Sequence, residues 1–182
     1  MSERNFDLDL TLDPVLYHRI KEQTDLYIQL FQQLAGDFPQ QKLSLIHPTS
    51  KGTKVTNGYR LDNCPYQVLD IARDFDPATA FNIRILNWWG NGLFVFILYG
   101  KDTLIKMEES IRRLLKFYIV SDQKSPWDYK KIINKNPSTK IIQRNTSSDF
   151  FQIYRRIDID PDFDKTYAIL KKEITFIFDN HY

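Results

Sequence analysis

The sequence predicts an α+β fold: a mostly antiparallel sheet with the N- and C-terminal helices packed on one of its faces. Three observations predict it. Apolar stripes at helical spacing run through both ends of the chain; the middle carries period-two runs around a Gly-Asn-Gly turn; and the links between those runs are of hairpin length. Parallel strands would need long helical crossovers, which are scarce here.

Taken in order, Phe6, Leu8, Leu10 and Leu12 alternate with Asp7, Asp9, Thr11 and Asp13, the pattern of a short extended segment or a loosely docked arm. Asp13-Pro14 then supplies a capping carboxylate and a proline at the first helical position, and Leu16, Ile20, Tyr27, Phe31 and Leu34 make the stripe of a helix over about residues 14–35. From Lys42 the period turns strand-like: Leu43 to His47, Thr53 to Arg60, and Tyr66 to Ala72. Phe81 to Trp88 and Leu93 to Tyr99 flank Gly90-Asn91-Gly92, whose glycines supply the positive φ of a tight hairpin. The second arm is apolar on both faces and belongs at the centre of the sheet.

Beyond the break at Gly100, Asp102 or Thr103 can cap a helix reaching Tyr118, with Leu104, Ile111, Leu114, Leu115 and Tyr118 as its buried stripe. Ser125-Pro126-Trp127-Asp128 reads as a capping box opening a short helix before Asn134. Strands over Thr139–Arg144 and Phe150–Ile157 would form a second hairpin. Asp160-Pro161 repeats the start of the first helix, and Phe163, Tyr167, Leu170, Ile174 and Phe178 carry the last one. With 182 residues and neither repeats nor low-complexity runs, residues 1–182 are expected to form a single globular domain.

Composition narrows the function classes. Hydrophobic residues at 42% and charged residues at 26% are ordinary globular usage, so the chain should fold on its own. A net charge of +2 makes nucleic acid an unlikely default partner. The lone Cys64 precludes an internal disulfide and a multi-cysteine zinc site, which suits a reducing cytoplasm. No secretory pattern opens the sequence and no apolar run is long enough to span a bilayer, so a cytoplasmic protein without membrane attachment is expected.

Among candidate chemical motifs, Asp158-Ile-Asp160-Pro-Asp162-Phe-Asp164 places alternate carboxylates as a calcium loop would. Its sixth position is Phe163 rather than glycine and its twelfth Ile169 rather than glutamate, so the carboxylates are better explained by the start of a helix. His18, His47 and His181 show no metal-binding spacing, and neither metal nor cofactor is expected. Residues 121–144 hold six Lys or Arg against two Asp, with Trp127 and Tyr129 interleaved. A solvated helix face explains this stretch better than a phosphate-binding one.

The stretch from Asn57 to Asn91 is more informative. It holds Pro65-Tyr66, Leu69-Asp70-Ile-Ala-Arg73-Asp-Phe75 and Arg84 followed by Trp88-Trp89-Gly90-Asn91. Over residues 53–100 it resembles an uncharacterised family of small bacterial proteins with a Pro-Tyr…Leu-Asp-x-x-Arg-x-Phe segment followed by an Arg…Trp-Trp-Gly-Asn hairpin, departing from it at Cys64, Ile71 and Ala72. The resemblance implies no activity.

Asp70 interrupts the apolar positions Tyr66, Val68 and Ala72 on one strand face, and Arg84 shares a hairpin face with Trp88. On adjacent strands the two charges would pair, and with Trp88 or Trp89 as a roof they would form either a register-fixing salt bridge or the floor of a binding site. The expected function is therefore non-enzymatic binding of an unknown protein or small-molecule ligand through an aromatic-rich sheet surface or a groove beside it, with Asp70, Arg73, Arg84, Trp88 and Trp89 as candidate ligand-binding residues. The alternative is a small enzyme for a polar or anionic substrate, using Asp70 as acid or base and Arg84 or Arg73 as anion clamp.

Overall fold

The computed structural model describes residues 5–134 and 149–181, and its architecture is α+β. In chain order its elements are α1 (Leu8–Thr11), α2 (Pro14–Gly36), α3 (Gln40–Ile46), β1 (Lys54–Leu61), β2 (Cys64–Asp74), β3 (Phe81–Trp88), β4 (Gly92–Gly100), α4 (Lys101–Lys106), α5 (Glu108–Leu114), β5 (Ile119–Val120), α6 (Tyr129–Asn134), β6 (Phe150–Ile157) and α7 (Phe163–Asp179). The strands form one antiparallel sheet in the order β1-β2-β3-β4-β6-β5. Among the described residues no helix is long and apolar enough to cross a membrane.

Strand alternation divides the side chains between two faces. On one, Leu69, Ile71, Ile83, Ile85, Val95 and Ile97 form a large core with Leu30, Phe31 and Leu34 of α2, Ile111 and Leu114 of α5, and Leu170, Ile174 and Ile177 of α7. The N- and C-terminal helices therefore share one face, as the two stripes predict, and Phe38 stacks on Phe178 at 5.1 Å where their ends meet. On the other face, Val68, Leu86, Trp88, Phe94, Phe96 and Tyr154 make a smaller core that α6 covers with Tyr129 and Ile132. The aromatic side of the sheet is thus roofed here rather than bare. β4, buried along nearly its whole length, is the central strand that its two-faced apolarity predicts.

The hairpin between β3 and β4 turns at Gly90 and Gly92, both at positive φ (78° and 120°). Gly100 serves close approach instead: a Cβ there would meet the Ala78 carbonyl oxygen at 2.6 Å. α4 begins immediately after it, earlier than a cap at Asp102 would place it, and Met107 separates α4 from α5 where one helix to Tyr118 is expected.

Other expectations are corrected. Residues 8–11 form one helical turn rather than a strand: Asp7 caps it by accepting a hydrogen bond from Leu10 N at 2.9 Å, and among the described residues no strand pairs with the segment. Leu43 to Ile46 lie in helix α3, and His47 is the extended residue that caps its C-terminus. Leu43 and Ile46, three apart, turn toward the core while Leu45 is exposed, so the apparent alternation there does not match the burial. The Ser125 turn yields a helix only from Tyr129, and α7 starts at Phe163 with Asp162 as its cap; Asp160 instead binds Thr166 through its backbone. The expected strand over Thr139–Arg144 lies outside the described residues, and the described neighbours of β6 are β4 and β5.

The apolar stripe of α2 is used unevenly. Its buried side chains begin at Thr24, while Val15 and Tyr17 are exposed. Leu34→Ala should therefore lower unfolding free energy by about 2–5 kcal/mol in urea titration, whereas Val15→Ala should stay within about 0.5 kcal/mol of the parent.

Candidate functional site

Asp70 and Arg84 face each other directly in the register of β2 and β3. Their side chains meet as a bidentate pair, Arg84 Nε donating to Oδ1 at 2.7 Å and Nη2 to Oδ2 at 2.8 Å. Both are largely buried, and burying such a pair is tolerable only when its remaining polar atoms are also satisfied. Asn82 Nδ2 donates to Asp70 Oδ1 at 2.7 Å, and Arg84 Nη1 donates to the Tyr129 hydroxyl of α6 at 2.5 Å. Burial alone would weaken the guanidinium charge, but Asp70 and Tyr129 outweigh it and raise the Arg84 pKa. Burial likewise raises the Tyr129 pKa, keeping it a neutral phenol.

The roof over Arg84 is not the one expected. Trp127 lies above the guanidinium, 4.8 Å from carbon to ring centroid, with Phe75 at 5.9 Å, and the two rings meet edge to face at 5.5 Å. Trp88 does point to the face that Arg84 occupies, but four residues along a strand is about 13 Å. Its indole fills the smaller core and donates to the Leu61 carbonyl at 3.0 Å. Trp89 Nε1 donates to Gln67 Oε1 at 3.0 Å, so neither tryptophan of the pair covers the ion pair.

Arg73 is also elsewhere. The β2–β3 register shifts between Ile71 and Asp74, where Ala72 and Arg73 take positive φ (77° and 42°), a conformation that L side chains seldom adopt. The bulge moves Ala72 into the large core and sends the Arg73 side chain to the loop before β1, where Nε donates to the Gly52 carbonyl at 3.0 Å. Its amide donates to Asn82 Oδ1 at 3.1 Å, so the bulge joins the Asp70 network through the backbone.

The same bulge positions a second buried polar cluster that no sequence spacing announces. Asp74 Oδ2 contacts His47 Nε2 at 2.7 Å and accepts from Thr49 Oγ1 at 2.8 Å and Thr79 Oγ1 at 3.0 Å. Although burial pushes the Asp74 carboxyl up, the bonds from His47, the Asp76 amide, Thr49 and Thr79 hold it at about 2. The Phe81 ring lies between His47 (5.6 Å) and His181 (5.2 Å). His181 Nε2 meets the Tyr99 hydroxyl at 3.0 Å and Nδ1 the Ile177 carbonyl at 2.6 Å; burial, aided by Arg113, lowers its pKa from 6.5 to about 4.

Among the described residues, no group of three or more His, Cys, Asp or Glu is placed to hold a metal ion. In the Asp158–Asp164 run, Asp160 accepts from the Asp162 amide and Asp162 from that of Lys165, the work of a helix start. In the basic stretch, Lys130 pairs with Asp62 and Lys131 with Asp128. Comparison with family models, with curated proteins and with solved structures finds no match to this chain.

Asp70→Asn keeps the shape of the network but removes its charge. Urea titration should show a loss of about 1–3 kcal/mol, and the loss should shrink in an Arg84→Met background, where no guanidinium is left unpaired.

The pH dependence has two windows. His181 is depressed in the folded state, so the unfolded chain takes up a proton between 6.5 and about 4 that the native chain refuses. Its contribution is intact above the upper value and falls with pH across that window, by about 3 kcal/mol in all. Asp74, an acid with a depressed value, adds stability above 3.8 that is lost as pH falls toward about 2. Urea titrations across this range should show both declines, and His181→Gln should remove the first alone.

Proposed function

We propose that the protein is a non-enzymatic binding protein, with the aromatic ledge of Trp127 and Phe75 over Arg84 as its contact surface. The observation that carries this reading is the exposure of Trp127, 42% open to solvent, above a guanidinium fixed from below by Asp70 and Tyr129. Tryptophan, tyrosine and arginine dominate the energetics of protein interfaces, and a side chain already held in place loses little entropy on binding. The partner is a protein or small molecule with an apolar group to lay on the indole. Asp70, Arg84 and Phe75 of the resemblance pattern support the ledge, whereas Arg73, Trp88 and Trp89 serve the scaffold. Such a reading suits a cytoplasmic protein of the small bacterial family that the pattern resembles.

A binding role is favoured over the acid–base alternative because Asp70 is buried and both its carboxylate oxygens are already engaged, in three hydrogen bonds from Asn82 and Arg84, so neither is presented to a substrate. The His47 cluster is no better suited to catalysis. Asp74 and Thr49 both meet Nε2, whereas a proton relay needs them on opposite ring nitrogens.

Replacing Trp127 with a photoreactive phenylalanine analogue and irradiating the source cells tests the reading. A discrete adduct should form from position 127 and be absent with the same group at Ile169, an exposed site on α7. Identical labelling from both positions would overturn the proposed surface.

A further inference from the structure

The first stretch of the described chain is apolar where it has least to pack against. Phe6, Leu8, Leu10, Leu12, Val15 and Tyr17 are all half exposed or more, and α1 buries no residue. A single helical turn of four residues is far shorter than the roughly 12–15 that make an isolated helix even marginal in water. The arm therefore holds its helical form weakly, and its sequence alternation suits a strand.

The sheet offers an edge for such a strand. β1 ends the strand order, so the backbone groups along its outer side have no partner strand among the described residues. Its two faces are chemically distinct. Val55, opposite Leu69, turns toward the large core, and Lys54, opposite Asp70, toward the other face. Residues 6–12 as a strand would put Phe6, Leu8, Leu10 and Leu12 on one side and Asp7, Asp9 and Thr11 on the other, and the register that lays the apolar set on the Val55 side brings the acidic set to Lys54, whichever way the strand runs. The charges match as well. Asp7 and Asp9 make that side of the arm negative, while Lys54 of β1 is exposed and in no ion pair among the described residues. Residues 14–23 precede the first buried side chain of α2 and span about 15 Å, which carries the arm beyond the packed part of its helix.

We infer that residues 6–12 of one copy add as a strand to the β1 edge of a second copy, reciprocally, closing a two-fold dimer. The exchange covers both the exposed apolar residues and the open edge, and each copy supplies the same two surfaces, as an isologous interface requires.

Sedimentation equilibrium of the full chain from about 1 µM to about 1 mM tests this inference. A reversible dimer is expected. Leu8→Ser/Leu10→Ser/Leu12→Ser should raise its dissociation constant at least about a hundredfold. Because these side chains are exposed in the monomer, its circular dichroism and urea midpoint should not change. Asp9→Lys should weaken the dimer about tenfold, as should Lys54→Asp, and combining the two in one chain should recover most of the loss. A monomer throughout the range would overturn the inference. So would a dimer indifferent to the serines, or one that responds to them but not to charge reversal at Lys54.

Discussion

The ion pair between Asp70 and Arg84 is the constraint on which the smaller layer of this protein depends. Strand side chains alternate faces, so a one-residue slip of β2 against β3 would turn Asp70 into the large core and Leu69 and Ile71 out of it, with no cation there to meet the carboxylate. Asn82, held by Asp70, also accepts the Arg73 amide, so the pair reaches into the bulge. The bulge in turn releases Arg73 to the loop before β1 and sets Asp74 against His47, Thr49 and Thr79. Two buried polar clusters are thus joined by the short run of β2 from Asp70 to Asp74, and the unusual φ values there are sustained from both sides.

The two layers are stabilised in different ways. On the large-core face, α2, α5 and α7 bury aliphatic stripes against the strands, and tolerance of repacking follows from volume and pattern. On the other face the helix over the sheet, among the described residues, is the short α6, and six residues bring little apolar area. Specific polar contacts compensate. Tyr129 is both a core ring, 4.9 Å from Phe96, and the acceptor for Arg84, while Tyr154 donates to the Ile132 carbonyl at 2.9 Å. α6 is therefore oriented by hydrogen bonds at both of its buried positions.

What was legible in the sequence follows from the range of the signals. The β3–β4 hairpin, α2, α7 and the pairing of Asp70 with Arg84 could be read because each rests on alternation or helical spacing within one or two neighbouring elements. The roof could not: Trp127 and Tyr129 lie more than 40 residues from Arg84 and arrive by a tertiary fold. Nor could the bulge, since Ala72 and Arg73 are not residues that announce positive φ. α3 carries a strand-like signal, because Leu43 and Leu45 alternate with polar residues, although Leu45 faces solvent. In the arm the alternation is present and the folded monomer does not use it.

Buried ion pairs seldom add net stability over apolar residues of similar size, so stability alone does not account for the charges here. An apolar pair at the same positions would retain the volume of the smaller core but would accept a shifted register more readily. It would also leave the Tyr129 hydroxyl without its donor and Trp127 without the cation beneath it. The charged pair supplies direction: a guanidinium clamped along one edge by a carboxylate has one plane, and that plane sets where the indole can stack. The position of the exposed Trp127 ring is therefore determined at the β2–β3 register, through Arg84, on the inside of the protein.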